Sequence, residues 1–76
     1  MNVTNGERVV LDIQKSATQR IRISQRWYKG REYVDIRLLV VNGAGEFVPT
    51  QKGLMMRPEL LPQVIQGLTL ASREAV

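Results

Sequence analysis

The 76-residue chain contains no cysteine and no histidine. Without cysteine there is neither a disulfide to staple a small fold nor a thiolate to hold zinc, and the redox compartment stays open apart from a lean towards the cytosol. Without either residue the usual bases and nucleophiles are missing, so catalysis would rest on carboxylates alone, and the chain reads as a non-enzyme. Its acids are scattered with no ligand spacing, which argues against a metal site, and no cofactor is expected. Aromatic residues are few: one Trp, two Tyr and one Phe. No apolar run approaches the roughly 20 residues that span a bilayer, and the N-terminus lacks the charged-then-apolar layout of a signal peptide. The chain is expected to be soluble and intracellular, with no membrane partner.

What is present is localised positive charge. Eleven Lys and Arg stand against seven Asp and Glu, a net charge of +4. Residues 20–37 carry Arg20, Arg22, Arg26, Lys29, Arg31 and Arg37 against Glu32 and Asp35, and six minus two is the excess of the whole chain. A local basic patch of this kind is the footprint of a polyanion-binding surface.

The same segment reads as a β-hairpin. Lys29-Gly30 lies between two strand-like runs, and a two-residue loop ending in Gly supplies the positive φ that tight hairpin turns require. That loop fixes a register. Tyr28 faces Arg31, Arg26 faces Tyr33, Ser24 faces Asp35, Arg22 faces Arg37 and Arg20 faces Leu39, all on one face because side chains alternate along a strand. The other face receives Ile21 opposite Leu38, Ile23 opposite Ile36 and Gln25 opposite Val34, with Trp27 and Glu32 nearest the turn. This is the expected core side, and Trp27 is read as packing more readily than as a stacking residue. A slip by one residue would place isoleucines among arginines. Arg22 opposite Arg37 is an unfavourable like-charge pair, which an anionic ligand would relieve.

A chain this short is one domain that buries too little surface to be comfortably stable alone. Residues 1–8 read as a frayed terminus and Val9 to Ile13 as a candidate short extra strand, so residues 1–19 form an N-terminal segment and 20–76 the domain proper. Lys15 to Gln19 reads as a loop. After the hairpin, Asn42-Gly43-Ala44-Gly45 forces a turn. A short third strand is expected at Glu46 to Val48, ended by Pro49, then a turn at Gln51-Lys52-Gly53 and a fourth strand at Leu54 to Met56. A helix begins near Pro58, with Pro62 and Gly67 favouring a bent course. Leu60, Leu61, Val64, Ile65, Leu68, Leu70 and Ala71 cover more than one helical stripe, and no charge falls between Glu59 and Arg73. Such a helix can cover the apolar sheet face with one side and pair with a second copy through Leu61, Val64, Ile65 and Leu68.

Four strands followed by one helix, with Tyr-Lys-Gly-Arg at 28–31, Val-Asp-Ile-Arg at 34–37, Gly-Glu-Phe-Val-Pro-Thr-Gln-Lys-Gly at 45–53 and Arg-Pro-Glu at 57–59, resembles the single-stranded-DNA-binding domain of the positive cofactor four family of transcriptional coactivators, in its prokaryotic or phage form. The resemblance runs from about Arg20 to Leu68. It implies an α+β fold with a curved four-stranded antiparallel sheet and one C-terminal helix, paired as a homodimer that holds single-stranded DNA with little sequence preference. It also implies base stacking at Tyr28 and backbone contacts at Lys29, Arg31, Arg37 and Lys52. Leu39-Val40-Val41 stands where many relatives carry an aromatic, Val48 replaces the basic residue expected before Pro49, and no Ser- and Lys-rich regulatory arm precedes the domain. The resemblance thus implies the bare binding module, in a bacterial or phage-infected cytoplasm near the nucleoid, or the nucleus of a eukaryote. Replication, recombination, repair or transcription proteins are the implied partners.

Physical chemistry gives the same face a mechanism. Tyr28 and Tyr33 supply planes for bases, while Arg20, Arg22, Arg26, Arg31 and Arg37 can meet phosphates, and Asp35 is placed to orient them. Two other readings fit the basic hairpin: a sequence-specific β-ribbon that enters the duplex major groove, and a dimeric protein-interaction module.

Overall fold

The structure, a computed structural model, describes residues 6–74. Four strands form one antiparallel sheet in the order β1-β2-β3-β4: β1 Gly6–Ser16, β2 Gln19–Tyr28, β3 Arg31–Val41 and β4 Phe47–Met56. A 3-10 turn, Pro58–Leu60, leads into a single helix, α1, Leu61–Glu74.

The central hairpin has the register that alternation and the turn demand. Arg22 pairs with Arg37, Ser24 with Asp35, Arg26 with Tyr33 and Tyr28 with Arg31. Lys29 at φ 52° and Gly30 at φ 77° form the two-residue loop, with both central residues in the left-handed region as a type I′ turn requires. At the other end of β3, Asn42 Oδ1 accepts the backbone N–H groups of Ala44 at 2.9 Å and Glu46 at 3.0 Å, closing the turn into β4.

The outer strands depart from the sequence reading. Residues 1–5 of the expected frayed terminus lie outside the described residues, but residues 6–8 belong to β1, which runs eleven residues rather than the five of Val9 to Ile13. Lys15 and Ser16, expected in a loop, end that strand, and Gln19 begins β2. An edge strand with exposed side chains throughout needs no apolar alternation, so its polar end carries no strand signal. The two short strands expected at 46–48 and 54–56 are one continuous β4, with Glu46 left in the turn. Pro49 is tolerated because β4 is an edge, where a missing N–H leaves no ladder bond unmade. The expected turn at residues 51–53 is instead a register shift, because β3 advances from Arg37 to Leu39 while β4 covers Gly53 to Pro49. Thr50 Oγ1 bridges it, donating to the Leu38 carbonyl at 2.8 Å and accepting the Lys52 N–H at 3.0 Å. Gly53 is needed there, since a Cβ would collide with the Ile36 carbonyl oxygen and stand 2.9 Å from the Arg37 Cα.

Pro62 is the second residue of α1 and so removes no intrahelical bond, and a 3-10 turn precedes the helix. The apolar faces of sheet and helix enclose a groove of about 350 Å³ lined by Val10, Ile23, Val34, Ile36, Leu61, Val64, Ile65 and Leu68 among others. This side is not a closed core. Among the described residues the buried apolar side chains are Leu39 and Met56 alone, while Val10, Leu11, Ile65 and Leu68 are exposed. The fully enclosed side chains, Leu39, Asp35 and Ser24, sit on the opposite, basic face, where long arginine stems can cover what lies between them.

Candidate nucleic-acid interface

The basic face is built in rows across the sheet. Arg20 and Leu39 form one row, Arg22 and Arg37 the next, then Ser24 and Asp35, Arg26 and Tyr33, and Tyr28 and Arg31 beside the turn. The register of β1 adds Gln14 opposite Arg20, Asp12 opposite Arg22 and Glu7 opposite Arg26. From the far side β4 contributes Phe47, Pro49, Gly53 and Met55.

Asp35 anchors the middle of this face. It is 1% exposed and accepts from Arg37 Nη2 at 2.8 Å, Arg37 Nε at 3.3 Å and Arg26 Nη1 at 3.4 Å, so one carboxylate orients two guanidiniums on neighbouring strands. The remaining Arg37 nitrogen, Nη1, donates to the Thr50 carbonyl at 3.3 Å. Hydrogen bonding to Asp35 raises the Arg37 pKa above its ordinary value, against the opposing effect of burial. Ser24, 1% exposed, donates to Glu7 Oε2 at 3.0 Å, and Arg26 Nη1 lies 3.7 Å from the same oxygen.

The like-charge conflict expected between Arg22 and Arg37 is resolved inside the protein. Their register is as expected, but Arg37 belongs to Asp35, and Arg22 donates bidentately to Asp12, Nε to Oδ1 at 2.8 Å and Nη2 to Oδ2 at 2.9 Å. This fork holds the Asp12 carboxyl below its ordinary range, although burial opposes the shift, and raises Arg22. Arg20 donates to Gln14 Oε1 at 2.8 Å, and its guanidinium carbon lies over Phe47, 3.8 Å from the ring centroid. The pairing is therefore weaker evidence for an anionic ligand than the sequence implied.

The remaining predicted residues border the β2–β3 turn or the sheet edge. Tyr28 is 51% exposed, with Lys29 Nζ 5.3 Å from its ring centroid. Arg31 is exposed and has no ion pair to a described residue. Lys52 likewise has none, and lies apart from the others on the shifted stretch of β4. Tyr33 is half-buried and packs under Arg57, whose guanidinium carbon is 5.6 Å from the ring centroid and whose Nη1 donates to the Glu32 carbonyl at 2.9 Å. Trp27 stands in the apolar-face rows, opposite Gly6 and Glu32, and is half-buried. A cavity of about 600 Å³ beside Tyr28 is lined by Gly6, Glu7, Arg26, Trp27, Tyr28 and Met55.

The sequence reading missed Glu7, Asp12, Gln14, Phe47 and Arg57 as parts of this face. Only the long-range register of β1 could reveal the first three; Phe47 and Arg57 carry the weaker signal of an aromatic and a cation beside strand ends. Counting the central rows, Arg20, Arg22, Arg26, Arg31 and Arg37 meet Glu7, Asp12 and Asp35, five cations against three carboxylates, so the face remains positive.

Residues 15–67 match the family model described as Transcriptional Coactivator p15 (PC4). The chain belongs to this family. A PC4 homologue from Burkholderia pseudomallei in an orthorhombic crystal form is 63% identical with a TM-score of 0.85, the match covering 96% of this chain and 99% of that one. Its tetragonal form matches at 66% identity and TM-score 0.83, over 88% of this chain and 98% of that one. A bacteriophage T5 homologue of eukaryotic PC4, implicated in recombination-dependent DNA replication, shares the fold at 19% identity and TM-score 0.69, covering 96% of this chain and 82% of its own. No curated protein matches the chain. The PC4 match begins at residue 15, so the acceptors Glu7, Asp12 and Gln14 lie outside the matched segment.

Proposed function

We propose that the chain binds single-stranded DNA without sequence preference, on the basic and aromatic face of its sheet, as a homodimer paired through α1. The observation that carries this reading is the face shared by Arg20, Arg22, Arg26, Arg31 and Arg37 with Tyr28 and Tyr33. Cations along a groove take phosphates, aromatic planes take bases of any identity, and neither reads sequence. Membership of the PC4 family and the implication of the T5 homologue in recombination-dependent DNA replication support a place in replication, recombination, repair or transcription, alongside proteins of those processes.

Support for the dimer is the unfinished apolar side. Leu68 is 62% exposed and Ile65 59%, on a helix with no buried residue among those described. A second copy covering Leu61, Val64, Ile65 and Leu68 would remove this surface from water, a gain of about 25 cal/mol per Å².

The test uses cations that hold no carboxylate, because removing Arg37 takes two of the three guanidinium bonds from the buried Asp35. Arg31→Gln combined with Lys52→Gln should weaken binding to every single-stranded sequence alike. Losing two phosphate contacts should also reduce the slope of log affinity against log salt by about 1.4, at roughly 0.7 per contact. Unchanged affinity at low salt would move the site off this face.

A further inference from the structure

The face that is read as meeting phosphates already carries its own anions, arranged in register with its cations. Along β1, Gln14, Asp12 and Glu7 stand opposite Arg20, Arg22 and Arg26, so each of these β2 arginines has an oxygen acceptor from the neighbouring strand. The three contacts are not equivalent. Gln14 is neutral, and its Nε2 is committed to the Ser16 carbonyl. Glu7 is long in its approach to Arg26, at 3.7 Å, and is tied to the buried Ser24. Asp12 forms the full fork on Arg22, at 2.8 and 2.9 Å, the two-point geometry with which a phosphate would also take a guanidinium.

Asp12 also differs from Asp35 in its freedom to leave. Asp35 is 1% exposed beneath Arg26 and Arg37 and has no route to water, so it is a fixed anchor. The Asp12 side chain is 30% exposed on an edge strand, and the Arg22 side chain is 27% exposed. Rotation of one side chain would hydrate the carboxylate and release both bonded guanidinium nitrogens without disturbing the backbone ladder.

We propose that Asp12 is a built-in competitor for phosphate: a single strand engages Arg22 by displacing Asp12, and Asp12 thereby sets the strength and salt sensitivity of binding. This rests on the single-strand reading above. In the free protein Arg22 is already neutralised, and the displaced carboxylate takes up a counterion as the strand's phosphate gives one up. Arg22 therefore contributes less than a full contact to both affinity and salt slope. Asp12 is a positioning residue for an unliganded guanidinium, and the cost of moving it acts equally on every sequence.

The test is a two-by-two cycle of Asp12→Asn and Arg22→Gln, titrated with a fluorescent oligothymidylate and with its duplex at two salt concentrations. Circular dichroism and a thermal melt check the fold of each variant. Asp12→Asn should bind the single strand roughly fivefold more tightly at low salt, the worth of one exposed ion pair of about 1 kcal/mol. Its salt slope should steepen by up to about 0.7. In the Arg22→Gln background the gain should vanish, because Asp12 acts through Arg22. A gain that persists in that background would reduce Asp12 to a general contribution to surface charge and overturn the proposal. Unchanged or weaker binding by a folded Asp12→Asn protein would overturn it as well. If the parent itself fails to bind the oligothymidylate, the single-strand reading falls instead, and the parent titration reports that separately.

Discussion

Replacing Asp35 by Asn tests whether the basic face is built around one enclosed carboxylate. Asp35 receives three guanidinium hydrogen bonds at 2.8, 3.3 and 3.4 Å and is 1% exposed. Asparagine keeps the shape but replaces one acceptor oxygen with an NH2 group, so donor faces donor towards Arg37 Nη2 in one orientation, or towards Arg26 Nη1 and Arg37 Nε in the other. Removing one partner of a buried ion pair typically costs about 3–5 kcal/mol. Here the bereaved guanidiniums are partly wet, with side-chain exposures of 43% for Arg26 and 18% for Arg37, so water recovers part of their loss. The expected destabilisation is about 2 kcal/mol, below the range for a fully enclosed pair. Urea denaturation of both proteins at one fixed concentration, with the m-value compared, measures it. The loss should change little with added salt, because an enclosed pair is poorly screened. A loss under about 0.5 kcal/mol, the size of an exposed pair, would refute the anchoring role.

Tyr28→Ala should cost about 1–3 kcal/mol of single-strand affinity while leaving the salt slope and thermal melt nearly unchanged, since stacking releases no counterions; Tyr28→Phe should be close to neutral. A lowered melt with unaltered affinity would make Tyr28 a cover for the turn. Leu68→Asp should convert a dimer to monomers in sedimentation at micromolar concentration, and a monomeric parent would contradict the paired helices. Because the Asp12 pKa is lowered from 3.8, its ion pair stabilises the fold fully above that value and is lost as pH falls through the depressed folded value. Asp12→Asn should therefore flatten the acid limb of stability below about pH 4, and an acid limb identical to the parent's would show that the pair adds nothing. The raised arginines add no pH dependence in any working range, since both are pushed above an already strongly basic ordinary value.

The hairpin was legible because two independent signals converged. Lys29-Gly30 admits a turn with two positive φ values, and each strand alternates apolar and basic residues in a way that only one pairing satisfies. Only Val9 to Ile13 marks β1 locally; Gln14, Lys15 and Ser16 at its end can be polar because an edge strand meets water. Pro49 and Gly53 read as breakers for a related reason. An edge forgives the missing N–H of Pro49, and the register shift uses the missing Cβ of Gly53. Misreading β1 had a consequence at the site. Arg22 looks unpartnered across from Arg37 in the sequence because nothing there fixes the register that sets Asp12, ten residues earlier, beside it. Alternation identifies which side is apolar but not which side is closed within one chain: Met56 is buried on the apolar face, while the enclosed Leu39 lies among arginines.

The central claim is that this face takes unpaired DNA through phosphates and bases together. Its most direct test is one titration of the unmodified protein with a labelled single strand and with the matching duplex, each at a low and a higher salt concentration, across several unrelated sequences. Expected are tighter binding to the single strand than to its duplex at both concentrations, little dependence on sequence, and affinity that falls linearly in log salt. Preference for the duplex, with one sequence bound well above the rest, would contradict it and assign the basic hairpin to the major groove.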